Sequence, residues 1–176
     1  MKRLVSILVS VSLLLLSPIY SYAAEDNSTD EHIHAKAVVL MDTDSKEVLY
    51  KMNENEELSP ASVTKIMSLL IILEALDSEK ITLLDEVTAS KDAVAMGGSQ
   101  IWLEVGEKMT VDELLRAVII ASANDACTAL GEYVAGSSVA FVKMMNDKAK
   151  ELGLEHTNFE HCTGLDDTVK AHYSSA

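Results

Sequence analysis

The chain has 176 residues, with 28 acidic against 14 basic side chains and a formal net charge of −14. A hydrophobic share of 48% beside 24% charged residues is a globular composition, long enough to bury a core in one domain, and it excludes wholesale disorder. The acidity excludes a nucleic-acid partner, because phosphate backbones are bound by clustered Lys and Arg and the only arginines are Arg3 and Arg116.

Met1-Lys2-Arg3 is a basic start, Leu4 to Leu16 is apolar, Pro18 interrupts, and Ser21-Tyr22-Ala23 places small residues where a signal peptidase reads. This layout predicts a secretory signal peptide over 1–23, cleaved near Ala23. The alternative, an uncleaved anchor, asks for about 20 apolar residues, and this run is shorter. Residues 24–34 are polar and acidic, a flexible leader, and the folded part is expected over 35–176. The product is expected to be exported, secreted or cell-wall associated, with no membrane span after cleavage. Cys127 and Cys162 then meet an oxidising or neutral environment. A bridge between them stays open, with Cys127 in a helical pattern and read as simply buried.

Ala35 to Met41 and Glu47 to Lys51 are strand-like runs around the turn residues Asp42-Thr43-Asp44-Ser45, which predicts a hairpin. Residues 53–57 are a solvated acidic link. A helix is expected next, with Ser59 as cap and Pro60 in the first helical position. Ile66, Leu69, Leu70, Leu73 and Leu76 recur at helical spacing and predict its buried face. Residues 81–109 mix short strand-like pieces with a Gly97-Gly98-Ser99 loop. Thr110 and Glu113 form a capping box that opens the helix Val111–Ala121. Further helices are expected from about Asn124 to Val134, stopping at Gly136, and from about Val139 to Leu152, ending at Gly153. The fold class is α/β in the α+β sense, a hairpin followed mostly by helices. A lone hairpin is marginal, and no convincing further sheet is legible.

Ser62 and Lys65 stand three residues apart in the first turns of a helix, so hydroxyl and amine share a face. A serine attacks poorly without a base, and a lysine serves as one only when desolvation or a nearby cation lowers its pKa. A bare S-x-x-K is weak evidence, since a cap-region serine and a surface lysine give the same letters. Ser122-Ala123-Asn124 ends an apolar helix; its hydroxyl could relay a proton and its amide could hold a carbonyl, although Ser and Asn are also ordinary helix-break residues.

Together, S-x-x-K and S-x-N belong to the motif set of penicillin-binding proteins and class A β-lactamases. The surrounding residues, SPASVTKIM over 59–67, MGGSQ over 96–100, SANDA over 122–126 and Gly164-Leu165-Asp166, resemble the low-molecular-weight serine-type D-alanyl-D-alanine carboxypeptidases of peptidase family S11. The resemblance runs from about Ala35 to Ala176. It implies the N-terminal part of a β-lactamase/transpeptidase-like fold, a hairpin plus a helical subdomain. It also implies removal of the terminal D-alanine from peptidoglycan stem peptides ending in D-Ala-D-Ala through an acyl-enzyme. In that scheme Ser62 is the nucleophile, Lys65 its general base, Ser122 the residue that passes a proton to the leaving amine, and Asn124 a substrate-positioning amide. β-Lactam antibiotics would acylate the same serine. Neither a metal nor an organic cofactor is expected, and the spacing of His32, His34, His156, His161 and Cys162 fits no zinc pattern.

The third motif, K-T-G, does not occur. Cys162-Thr163-Gly164 lacks the lysine and is followed by Asp166 and Asp167, so it fits the family's Gly-Leu segment instead. In relatives the third motif lies on a later edge strand that also supplies one oxyanion-hole N–H, and losing one such donor costs about 10²–10³ in rate. The chain is therefore expected to be the front portion of a longer enzyme, with 35–176 a partial catalytic domain that takes up penicillin weakly or not at all by itself. The rivals are a class A-like β-lactamase, for which Glu160 is the only tempting deacylation residue, and an inactive truncated penicillin-fold fragment.

Overall fold

In the computed structural model, residues 33–165 and 171–176 are described. The expectations for the signal peptide, most of the leader, Asp166 and Asp167 fall outside them. Ala35–Ala176 forms one compact unit.

The expected hairpin is present as β1 (Val38–Met41) and β2 (Val48–Met52), antiparallel with Val38 opposite Met52 and an irregularity between Leu40 and Met41. Asp42 makes the turn: its carboxylate accepts from the backbone N–H groups of Asp44 (3.2 Å) and Ser45 (2.7 Å), the usual way a short acid replaces a backbone turn bond. A second antiparallel pair, β3 (Glu86–Thr88) with β4 (Lys108–Thr110), organises the stretch whose sequence shows only strand-like pieces. Each strand has three residues, too few for alternation to declare itself.

The helical part follows local signals closely, with one exception. α1 (Lys65–Asp77) is not entered through a Ser59 cap; a 3₁₀ turn over Ala61–Thr64 precedes it, with Pro60 at the N-cap position and no side-chain cap. The left-handed backbone of Ala61 (φ 46°) breaks a continuous helix there. Its buried face also differs from the expected one. Ile66 is 68% and Leu73 50% exposed, whereas Lys65, Met67, Ser68, Ile71, Ile72 and Ala75 are buried. Leu69, Leu70 and Leu76 pack only partly against the core. A helix apolar on every side has no hydrophobic face to select, so tertiary partners choose the rotation.

α2 (Lys91–Val94) is capped by Ser90, whose hydroxyl accepts from Ala93 N–H. The expected capping box is present at α3 (Val111–Ala121), with Thr110 and Glu113 bonded reciprocally. α4 (Asn124–Ala135) stops at left-handed Gly136, and α5 (Ser138–Glu151) is capped by Ser137. α4 is the hub: its residues from Asn124 to Gly131 are buried, and it packs on α1, α2, α3, α5 and β3. Gly131 allows the closest approach, since a Cβ there would sit 2.8 Å from the Phe141 ring of α5. The segment after α5 returns beneath the 3₁₀ turn through bridges of Asn158 with Tyr173 and Leu58 with Ser174.

Candidate active site

The 3₁₀ turn presents Ser62 to solvent while the first residue of α1 points inward. Lys65 is 4% exposed, and its Nζ hydrogen-bonds Ser62 Oγ at 3.1 Å. The amine also donates to the Thr163 carbonyl at 3.0 Å. Burial lowers the Lys65 pKa below the ordinary lysine value, which makes the amine easier to hold neutral. An exposed hydroxyl on a buried amine of lowered pKa is the geometry of a serine with its own base.

Two backbone observations show how closely the turn is held. Gly164 has φ +71°, and a Cβ on it would lie 1.7 Å from the Ala61 carbonyl oxygen and 2.7 Å from Thr64 Oγ1. Ala61, immediately before Ser62, is itself left-handed, a local strain the surroundings must enforce. The enforcing contacts come from late in the chain. Ser68 Oγ donates to the Cys162 carbonyl at 2.7 Å. His172 Nδ1 accepts from Glu160 N–H at 3.1 Å, which leaves the ring proton on Nε2 to be donated to Thr64 Oγ1 at 2.8 Å. Burial, with the stacked His161 ring 3.9 Å away, pushes the His172 pKa down to about 4, so the ring is neutral near pH 7.

The S-x-N segment forms the corner between α3 and α4. Ser122 is the left-handed C-cap of α3 (φ 54°), half-buried, and its hydroxyl makes no hydrogen bond among the described residues. Asn124 is 3% exposed; its backbone N–H donates to the Ser99 carbonyl (2.7 Å) and its Nδ2 to the Gly97 carbonyl (2.7 Å). Asn124 Oδ1 is buried without a partner among the described residues, a polar atom whose desolvation is uncompensated there. The hydrogen bonds thus join Ser62 to Lys65, and Lys65 to Thr163; they do not link Ser122 or Asn124 to either side chain. Glu160 lies elsewhere, lining a pocket with His161 and Cys162, its carboxylate accepting from Asn158 Nδ2. Cys127 and Cys162 are buried free thiols.

Several contributors carry no sequence signature of their role. Thr163 acts through a carbonyl, which any residue possesses. Asp125 is completely buried, and its carboxylate accepts from the N–H groups of Ile101 (3.2 Å), Leu103 (3.1 Å) and Ala126 (2.9 Å), fixing the loop opposite the S-x-N corner. The signal available for it was an acid among small apolar residues at the start of a buried helix. His172 and Ser68 were equally visible as letters, but their partners stand 108 and 94 residues away.

The model of the Peptidase S11 family, described as D-alanyl-D-alanine carboxypeptidase, matches residues 23–176. The D-alanyl-D-alanine carboxypeptidase DacF of Bacillus subtilis (strain 168) is 52% identical, with 100% of this chain and 45% of the relative covered. DacC of Escherichia coli (strain K12) is 44% identical, covering 89% and 40%. The crystal structure of penicillin binding protein 6B from Escherichia coli superposes with a TM-score of 0.76 at 41% identity, covering 82% of this chain and 47% of that one. The chain thus spans somewhat under half the length of the curated relatives it matches, between 40 and 45% for these two.

Proposed function

Since the chain belongs to the D-alanyl-D-alanine carboxypeptidase family, peptidase S11, we propose that it carries the nucleophile and base of a serine-type D-Ala-D-Ala carboxypeptidase. The observation that carries this reading is the exposed Ser62 hydroxyl 3.1 Å from the buried Lys65 amine. Lys65 takes the Ser62 proton as the oxygen attacks the carbonyl of a terminal D-Ala-D-Ala bond, and D-alanine leaves. The Ser122 hydroxyl, which makes no hydrogen bond among the described residues, would hand a proton to the leaving amine. The orphaned Asn124 Oδ1 gains a partner when a substrate or lysine N–H reaches it. Water then hydrolyses the ester, and a β-lactam ring opens on the same serine.

Residues 35–176 would be the front of the catalytic domain, and residues 1–23 would direct export to the cell wall. Among the described residues no helix is long and apolar enough to cross a membrane. A second reading, a penicillin-fold chain that does not turn over, is favoured by one sequence fact: K-T-G is not among the 176 residues.

Incubation with a fluorescent penicillin separates the two. Expected is a covalent label that Ser62→Ala abolishes, accumulating slowly because a lysine and an oxyanion donor of the full motif set are not among these residues. Label that survives Ser62→Ala refutes the assignment, and no label supports the second reading. Rapid turnover of a chromogenic cephalosporin would instead mark a β-lactamase.

A further inference from the structure

Two thiols stand behind the lysine. Cys127 is on α4, and Cys162 precedes the residue whose carbonyl anchors Lys65; both are unbridged. The Cys127 thiol donates to the Cys162 carbonyl at 3.5 Å, which brings the Cys127 sulfur against the Cys162 residue. Thr128 Oγ1 is 3.7 Å from Cys162 Sγ.

Their surroundings differ. Cys127 is fully enclosed, while Cys162 lines an open pocket of about 290 Å³ with Met96, Thr128, Val139, Glu160 and His161. The neighbouring Cys162 side chain, together with burial, pushes the Cys127 thiol well up. The Cys127 side chain, with help from Thr128, lowers the Cys162 pKa. A more acidic thiol at a pocket wall beside an enclosed partner is the division of labour between an attacking and a resolving cysteine.

We propose that Cys127 and Cys162 form a peroxide-oxidisable dithiol whose closure to a disulfide loosens the Lys65 anchor at Thr163. The loosening rests on the reading of Lys65 as the base; the dithiol itself does not.

The chemistry balances with hydrogen peroxide as oxidant. The Cys162 thiolate attacks one peroxide oxygen, the O–O bond breaks, and the departing hydroxide takes a proton to become water. Cys162 is then a sulfenic acid. The Cys127 sulfur attacks the Cys162 sulfur, the S–O bond breaks, and hydroxide leaves with the Cys127 proton as a second water while the S–S bond forms. Two electrons pass from two thiols to one peroxide.

The consequence for the site follows from connectivity. Closure removes the thiol donor to the Cys162 carbonyl, which also accepts from Ser68 at 2.7 Å. The next carbonyl along the chain is the one that holds Lys65 Nζ at 3.0 Å. A displaced Cys162 backbone is therefore felt by the lysine one peptide away.

The test treats the reduced full chain with hydrogen peroxide, alkylates remaining thiols, digests without reductant and maps the peptides by mass. In parallel, Ser62 labelling by fluorescent penicillin and hydrogen exchange over residues 62–65 are followed before oxidation, after it, and after dithiothreitol. Expected are a Cys127–Cys162 linked peptide, faster exchange, and a reversible fall of roughly tenfold in labelling rate, the worth of one strong hydrogen bond. In Cys127→Ala the expected product is a Cys162 sulfenic acid trapped by dimedone. Two cysteines that stay alkylatable in the folded, peroxide-treated protein overturn the dithiol. A linked peptide with unchanged exchange overturns the loosening of the anchor. Absence of labelling even when reduced refutes the Ser62 reading alone, and the linked peptide and exchange still decide this proposal.

Discussion

Replacing Gly164 by alanine adds one carbon at the point where the tail passes beneath the nucleophile turn. An alanine in the left-handed region costs about 1–2 kcal/mol by backbone conformation alone. The added Cβ would also sit 1.7 Å from the Ala61 oxygen, 2.4 Å from the Ala61 carbonyl carbon and 2.7 Å from Thr64 Oγ1. Two of these atoms are backbone and cannot swing aside, so one segment must retreat by about 1.5 Å or more to restore van der Waals contact. Overpacking of that kind adds about 1–3 kcal/mol. The expected loss is about 2–5 kcal/mol, a fall in Tm on the order of 10 °C for a chain of this size. Gly106 is the internal control: its φ is +85° but nothing lies within 4 Å of its Cβ position, so Gly106→Ala pays the backbone term only. Urea denaturation of both variants gives the difference, which isolates the steric part. Because the retreat separates Ala61 from Thr163, Ser62 acylation should fall in Gly164→Ala and hold in Gly106→Ala. Equal losses in the two variants, with equal labelling, would refute the reasoning.

Lys65→Met keeps the buried volume and removes the base, and the labelling rate should drop about 10²–10⁴-fold; a smaller drop would assign the base elsewhere. Burial lowers the folded lysine pKa from 10.5, so the unfolded chain binds more protons just below that value and stability rises with pH there. In Lys65→Met that slope should flatten, as read from urea midpoints at alkaline pH. His172 has its folded pKa pushed from 6.5 to about 4. Its neutral ring, against His161, Glu160 and Thr64, contributes stability that is complete above about pH 6.5 and is lost as pH falls toward 4. The contribution is at most about 3 kcal/mol, and His172→Gln should abolish the pH dependence in that window. Asp125→Ala strips the acceptor from the Ile101 and Leu103 N–H groups, with an expected loss of about 3 kcal/mol in chemical denaturation. A loss below about 1 kcal/mol would mean that water replaces the carboxylate.

Legibility in this sequence tracked the range of the interaction. The Asp42 turn, the Thr110–Glu113 capping box and the Gly136 stop are written within a few residues and appear where their letters stand. Ser62 and Lys65 share that advantage, since an i, i+3 pair meets wherever a helical turn forms. The rotation of α1 was not legible, because leucine and isoleucine occupy all its sides and Ile66 and Leu73 are left outside. Its inward face is selected by Lys65 and Ser68, whose acceptors are carbonyls of Thr163 and Cys162. Backbone acceptors have no residue type, so spacing alone cannot announce them.

Cys162-Thr163-Gly164 shows how a segment can be wrong for one motif and still belong to the site. It has no lysine to bring, yet it brings what an already present lysine lacks. Lys65 must be dry for its pKa to fall, and a dry amine must keep hydrogen-bonding partners or its burial becomes too costly. Ser62 supplies one partner and the Thr163 carbonyl the other. Gly164 lets that carbonyl come close, because a side chain at the next position would strike Ala61. The desolvation that destabilises the charged lysine is thus what favours the neutral amine able to accept a proton, and the tail contacts that enforce it should make stability and acylation move together in Gly164 and Ser68 variants.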